Sequence, residues 1–266
     1  MKLPPRLDTL RKELEATQKL YLKITPSFSN KMTLWESKFG GEPYFPKQLE
    51  YPKSPEGNPL ILLAQINFSE TLLLDNFPKE GILQFYIDSY HDLYGMNDED
   101  MAEQKHFRVI YFDKIDLDEK NLITDFSFLP SLDDSDMILP FIGSFALTFE
   151  QKSEPISGCD YRLEEMIETL VEDSEDDSEY YDLLEAYLDL YDGEEHKLGG
   201  YPFFTQDDPR IDFDENIEPY ELLFQMISDE DADIMWGDAG VGNFFIQPSA
   251  LKKLDFSRVI YSYDCC

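Results

Sequence analysis

Ser37-Lys38-Phe39-Gly40-Gly41-Glu42-Pro43-Tyr44-Phe45 is answered later in the chain by His196-Lys197-Leu198-Gly199-Gly200-Tyr201-Pro202-Phe203-Phe204. Three further blocks follow each copy in the same order. Leu62-Leu63-Ala64-Gln65-Ile66 is echoed by Leu222-Leu223-Phe224-Gln225-Met226, and Gly81-Ile82-Leu83-Gln84-Phe85-Tyr86-Ile87 by Gly240-Val241-Gly242-Asn243-Phe244-Phe245-Ile246. Arg108-Val109-Ile110-Tyr111 recurs letter for letter as Arg258-Val259-Ile260-Tyr261. Short apolar runs match by chance, but four blocks in one order point to an internal duplication. The spacing between copies stays nearly constant through three blocks and shortens at the fourth, as a trimmed inter-strand loop would make it.

Residues 37–113 and 196–264 are therefore read as two repeats, 114–195 as an acidic helical spacer and 1–30 as an N-terminal helix. A unit as short as one repeat holds only a marginal core alone, so the two are expected to pack together in a single domain of 1–266. Leu60 to Ile66, Gly81 to Ile87 and Phe107 to Phe112 are expected strands, the first buried on both faces because its apolar run is nearly unbroken. The insert Asp88 to Lys105 is expected to be a polar excursion. Leu3, Leu7, Leu10, Leu14, Tyr21 and Ile24 recur at helical spacing, predicting an amphipathic helix that closes before Pro26. In the spacer, Met137 to Phe149 is expected to be a strand with a bulge at Gly143. Leu163, Met166, Ile167 and Leu170 predict one helix, and Leu183, Leu184, Tyr187, Leu188 and Tyr191 a second, ending at Gly193. The expected fold is α+β: two β-rich repeats forming a mostly antiparallel sheet or barrel-like core with flanking helices.

The motifs resemble the YwqG-like family of domains of unknown function, through Lys-x-Gly-Gly-x-Pro-x-Phe, Leu-Leu-Ala-Gln-Ile-Asn and Gly-x-Leu-Gln-Phe-Tyr, over residues 37 to 264. That resemblance implies a soluble protein with a duplicated β-rich core. It implies no activity and no catalytic residue.

A net charge of −34 over 266 residues repels nucleic acid and anionic membrane, and would attract a basic protein. An aromatic content of 14% supplies a core and argues against disorder despite that charge. Cys159, Cys265 and Cys266 make no disulfide framework, and the opening residues lack the apolar stretch of a signal peptide. A cytoplasmic, monomeric protein is expected.

Carboxylates are too numerous for any pair to stand out as catalytic. Asp212-Phe213-Asp214-Glu215-Asn216 begins like a calcium loop, but Ile217 and Leu223 occupy the positions where glycine and glutamate are required. His91, His106 and His196 lie in no metal-ligand spacing. Weak divalent binding along Glu172 to Glu179 is all the metal chemistry the acidic runs suggest. No phosphate-binding loop, dinucleotide fingerprint or nucleophile elbow occurs, so neither a cofactor nor a catalytic group is expected.

The repeated loops are the candidate ligand site. Gly40, Gly41, Gly199 and Gly200 free backbone amides that can cradle an anion, with Lys38 and Lys197 just before them. Gln65 and Gln225 place an amide inside an apolar run, where it must be hydrogen-bonded. Each glutamine either ties down its neighbouring loop or lines a cleft between the repeats. Three readings follow: a protein-interaction module in the manner of an immunity or inhibitor protein, a small-molecule-binding protein or enzyme using these residues, or a stability scaffold with no ligand of its own.

Overall fold

The computed structural model describes residues 1–131, 134–171, 178–214 and 216–266. Ten strands form one sheet among them: β1 Lys19–Phe28, β2 Lys38–Gly40, β3 Ile61–Asn67, β4 Ile82–Ile87, β5 Phe107–Phe112, β6 Ser144–Glu154, β7 Lys197–Gly199, β8 Glu221–Ile227, β9 Val241–Ile246 and β10 Ile260–Asp264. The spatial order is β10-β9-β8-β7-β1-β6-β2-β3-β4-β5, and every pairing between these strands is antiparallel. With helices α1 Arg11–Ala16, α2 Tyr161–Val171, α3 Ser178–Leu188 and α4 Pro248–Leu251, the fold is α+β with a barrel-like core, as expected.

The sheet curls until its two ends nearly meet. Phe85 of β4 lies 4.7 Å from Phe224 of β8 and 4.8 Å from Phe244 of β9, ring centre to ring centre. Across the seam, Phe107 of β5 lies 5.3 Å from Tyr261 of β10, which itself stacks on Phe244 at 4.5 Å. Large apolar rings pointing inward from both halves thus fuse the two into one core.

The segment after β4 covers this seam rather than standing off as a polar excursion. Tyr261 N donates to Met101 O, and Gln104 bridges Phe256 O and Val109 N. Tyr94, buried, packs against Trp236 and Tyr263 at 5.1 and 4.8 Å. An uncovered strand edge invites intermolecular pairing, and this segment removes that exposure along part of β10.

The expected first helix stops early. A 3₁₀ turn over Pro5–Leu10 leads into α1, which ends at Ala16, and β1 begins at Lys19. Tyr21 and Ile24 fall three apart and so mimic a helical stripe, but Leu20 to Thr25 is rich in strand formers and alternates Tyr21 and Lys23 on one face with Leu22 and Ile24 on the other. Pro26 sits inside β1 opposite Leu147, beyond the Tyr21–Lys23 stretch where β7 pairs, so its missing N–H costs no ladder bond on that side.

The expected strand at 137–149 is displaced as well. β6 starts at Ser144, after Pro140, and Gly143 precedes it at φ 117° instead of bulging within it. α2 and α3 form where expected and bury Leu163, Ile167, Leu183 and Tyr187 against Leu7, Leu14 and Ile156. α3 ends at Leu188, so Gly193 lies beyond it and caps no helix.

The pairings of β1 and β6 cross over relative to their order in the chain. The N-terminal β1 pairs with β7, while β6, which precedes β7 in the chain, pairs with β2. The registers match: Tyr21 faces Gly199 as Ser144 faces Gly40, and Leu22 faces Leu198 as Phe145 faces Phe39. β1 and β6 then pair with each other along their full length, and Thr25 opposite Thr148 is the pair that this two-fold relation leaves in place.

Candidate functional site

The two Gly-Gly turns are built alike. Gly40 and Gly41 have φ of 63° and 71°, and Gly199 and Gly200 have φ of 69° and 78°. These left-handed angles favour glycine, and a Cβ on Gly40 would also overlap the Gly143 carbonyl oxygen.

Gln65 and Gln225 hold the chain on both sides of these turns. Gln65 Oε1 accepts from Tyr44 N at 2.8 Å, and its Nε2 donates to Leu34 O and Glu36 O at 2.9 and 2.8 Å. Gln225 Oε1 accepts from Phe203 N at 2.7 Å, and its Nε2 donates to Gly193 O and Glu195 O, both at 2.9 Å. The next strand adds a second amide: Gln84 Nε2 donates to Tyr44 O, and Asn243 Nδ2 to Phe203 O. Gln84 also donates to Gln65 Oε1, which leaves the Gln65 amide with no hydrogen-bonding capacity to spare. Ser37 and His196 match in the same way, accepting the amide hydrogens of Asn67 and Ile227. Burial lowers the His196 pKa despite Asp229, and its Nδ1 accepts a backbone N–H, so the ring is neutral with Nε2 facing Asp229.

The lysines are spent internally too. Lys38 Nζ donates to Thr33 O and Glu42 O, and burial pulls its pKa down to about 8 against the pull of Glu36, Glu42 and Glu70. Lys197 Nζ bonds both oxygens of Glu154 at 3.0 Å, and Glu154 Oε1 also accepts from Tyr201 N. Burial lowers Lys197 and raises Glu154, each opposed by the other's charge.

The turns do not share a cleft. β2 and β7 are separated by β1 and β6 and run in opposite directions, so the turns sit at opposite mouths of the barrel. Gly40 and Gly41 line a cavity of about 230 Å³ with Leu62, Phe126, Leu129 and Phe141. Gly199 and Gly200 line one of about 560 Å³ with Lys19, Leu20, Phe77 and Glu221. Each cavity is floored by the start of β3 or β8 and the end of β4 or β9.

A buried ionic cluster buttresses the second mouth, and pattern reading along the chain passed over it. Arg210 bonds Asp208 through Nε and Nη2, reaches Asp160 Oδ2 at 2.9 Å and caps Tyr220 O. Arg162 bridges Asp160 Oδ1 at 2.7 Å and Glu221 Oε1 at 2.8 Å, and Glu221 in turn holds Lys19. Burial alone would raise the Asp160 pKa, but the two guanidinium groups outweigh it and hold the carboxyl down to about 2. The available signal was the isolation of Arg162 and Arg210 among acids: a lone cation there is placed to pair inward.

Residues 172–177, most of the stretch read as a weak divalent binder, lie outside the described residues, as does Glu215 of the calcium-like run. Among the described residues no helix is long and apolar enough to cross a membrane.

A curled antiparallel sheet with matched Gly-Gly turns at both mouths, the Lys38, Lys197, Gln65 and Gln225 side chains of those turns engaged within the fold, defines a β-rich domain. A family model for a domain of unknown function (DUF1963) matches residues 37–265, and the chain belongs to that family. No curated protein matches it.

Proposed function

We propose that this chain is a binding module, immunity- or inhibitor-like in character, that docks a basic protein through the acidic face of α2 and α3. The observation that carries it is Tyr181, 66% exposed on α3 beside exposed Asp182 and Glu185, with Glu165 and Glu168 exposed on α2. Tyr180 stacks edge-on against it at 5.2 Å, and burial together with Glu164 and Glu168 pushes the Tyr180 hydroxyl up to about 12. Tyrosine is a frequent anchor of protein interfaces, and an acidic surround steers a cationic partner toward it. The positive charges of Arg162, Arg210, Lys19 and Lys197 are meanwhile neutralised by ion pairs elsewhere in the fold.

The test is affinity capture at low salt with the full chain, followed by titration of the purified partner. The expected result is a cationic protein whose affinity falls steeply with salt and by at least about tenfold in Tyr181→Ala. Capture of no cationic protein, or binding indifferent to both salt and Tyr181→Ala, would overturn it.

The mouth cavities support a second reading, in which a small apolar ligand occupies the space beside Gly40 and Gly41. Reproducible thermal stabilisation by such compounds, abolished by Leu129→Trp, is its expected signature. The matched turns, latches and registers also support descent of both halves from one copied five-strand unit within a single domain. The motif likeness supports placing the chain among the YwqG-like members of its family.

A further inference from the structure

Three side chains of metal-ligand type, distant in the chain, converge where β4 ends and β5 begins. Asp88 follows β4, His106 precedes β5, and Glu56 comes from the turn between β2 and β3. His106 Nδ1 lies 2.8 Å from Asp88 Oδ2 and 4.0 Å from Glu56 Oε2. One donor atom from each falls within 4.8 Å of the other two. Around a tetrahedral zinc-sized ion, donors are about 3.4 Å apart, and the two observed separations bracket that value.

The donors are oriented from behind. Asp88 is buried and its Oδ1 accepts from Tyr90 N at 3.0 Å, which turns Oδ2 toward His106. Glu56 Oε2 accepts from Ser54 Oγ at 2.9 Å. Outer hydrogen bonds of this kind fix metal-ligating carboxylates in place. His91 lies against His106 with ring centres 4.6 Å apart and planes tilted by 40°, and the group opens onto a cavity of about 880 Å³ also lined by Asp98 and Glu103.

The fold itself does not call for this trio. At the corresponding places in the other half, directly after β9 and two residues before the repeated Arg-Val-Ile-Tyr, stand Gln247 and Phe256. An ionic cluster kept on one side only is therefore not a requirement of the strand connection.

We propose that Glu56, Asp88 and His106 form a binding site for a divalent first-row transition cation of the Zn²⁺ type. An imidazole nitrogen with two carboxylates, and few protein donors, suits such an ion better than Mg²⁺ or Ca²⁺, which prefer oxygen-rich shells. Asp88 and His106 form the inner limb, Glu56 closes from the surface, and the remaining position opens to the cavity. The ion takes the place of the direct His106–Asp88 contact. Bound there, it clamps the Glu56 turn onto the segment that covers the β5–β10 seam.

The test is calorimetric titration of the metal-stripped full chain with Zn²⁺ in excess Mg²⁺, which occupies weak acidic sites on the surface. Co²⁺ absorption serves as a second, spectroscopic readout. One saturable equivalent is expected, with a rise in melting temperature. Glu56→Gln, at an exposed position, should weaken binding by at least about tenfold with an unchanged far-UV spectrum, and His106→Gln should abolish the Co²⁺ visible band. Asp88→Asn also removes a loop anchor, so the decision rests on the other two variants. Wild-type stoichiometry and affinity in both, or complete displacement of Zn²⁺ by Mg²⁺, would overturn the site.

Discussion

Gln65 and Gln225 serve the same purpose in opposite halves of the barrel: each accepts the amide hydrogen of the residue after the Gly-Gly-x-Pro proline and donates to two carbonyls ahead of the turn. Both are fully buried. An amide in this position ties three backbone groups on two chain segments to its own strand, and leucine of similar size would leave those three groups without it.

Gln65→Leu is therefore expected to lower stability by about 3 kcal/mol, since each orphaned buried group costs about 1–3 kcal/mol. Gln225→Leu should act in the same direction. Urea unfolding measures both through the midpoint at constant slope. A glutamine kept for ligand contact alone would leave the midpoint within about 0.5 kcal/mol of wild type.

Asp160 sets a second expectation. Its folded pKa, about 2, is depressed below the unfolded value of about 3.9. The unfolded chain thus binds the proton first as pH falls, and the stabilisation present above pH ~4 drains away toward pH ~2. Between pH ~5 and pH ~3 wild type should lose about 1 kcal/mol more than Asp160→Asn does. Equal pH slopes in the two proteins, measured by urea unfolding, would remove the guanidinium explanation. The variant's own stability at neutral pH should be several kcal/mol lower, about 3, because Arg210 then lacks half of its buried counter-charge.

Much of this architecture is legible in the chain because the decisive signals are local. Gly40-Gly41 and Gly199-Gly200 announce left-handed turns, and the apolar runs of β3, β4, β8 and β9 announce buried strands. The crossed pairing of β1 and β6 is not legible, because strand partnership over more than a hundred residues leaves no local pattern. Lys19 to Phe28 was further masked by the coincidence that Tyr21 and Ile24 continue the three-and-four spacing of α1. The glutamines were legible as buried and needing partners, but not which backbone groups they would meet. Arg162 and Arg210 reach acids on separate elements, so their cluster exists only in three dimensions.

Gly40 and Gly57 separate two costs that glycine substitution usually mixes. Both have positive φ, 63° and 91°, but a Cβ on Gly57 meets nothing within 4 Å, whereas one on Gly40 overlaps the Gly143 carbonyl oxygen and crowds Phe141. Gly57→Ala is expected to cost about 1 kcal/mol from backbone strain. Gly40→Ala should cost about 3 kcal/mol or more, since the β6 entry must shift as well. Thermal or urea melts of the two variants check the difference, and equal costs would contradict the packing at the first mouth.

Tyr94 tests what closes the seam. Its ring fills the space between Trp236 and Tyr263, and its hydroxyl accepts from Gly237 N at 3.1 Å. Removing an aromatic side chain from such a place leaves a cavity worth about 3–5 kcal/mol. The loss should also be local, because Tyr94 belongs to the segment whose Met101 carbonyl holds the Tyr261 amide. In Tyr94→Ala the Tyr261 N–H should therefore exchange with solvent faster than amides of β3 in the opposite half. Tyr94→Phe keeps the ring and loses only the hydroxyl, so it should retain slow exchange at Tyr261 and cost about 1 kcal/mol. If the alanine variant speeds exchange equally at Tyr261 and throughout β3, the seam opens only with the whole fold, and the covering segment is not a separate clasp.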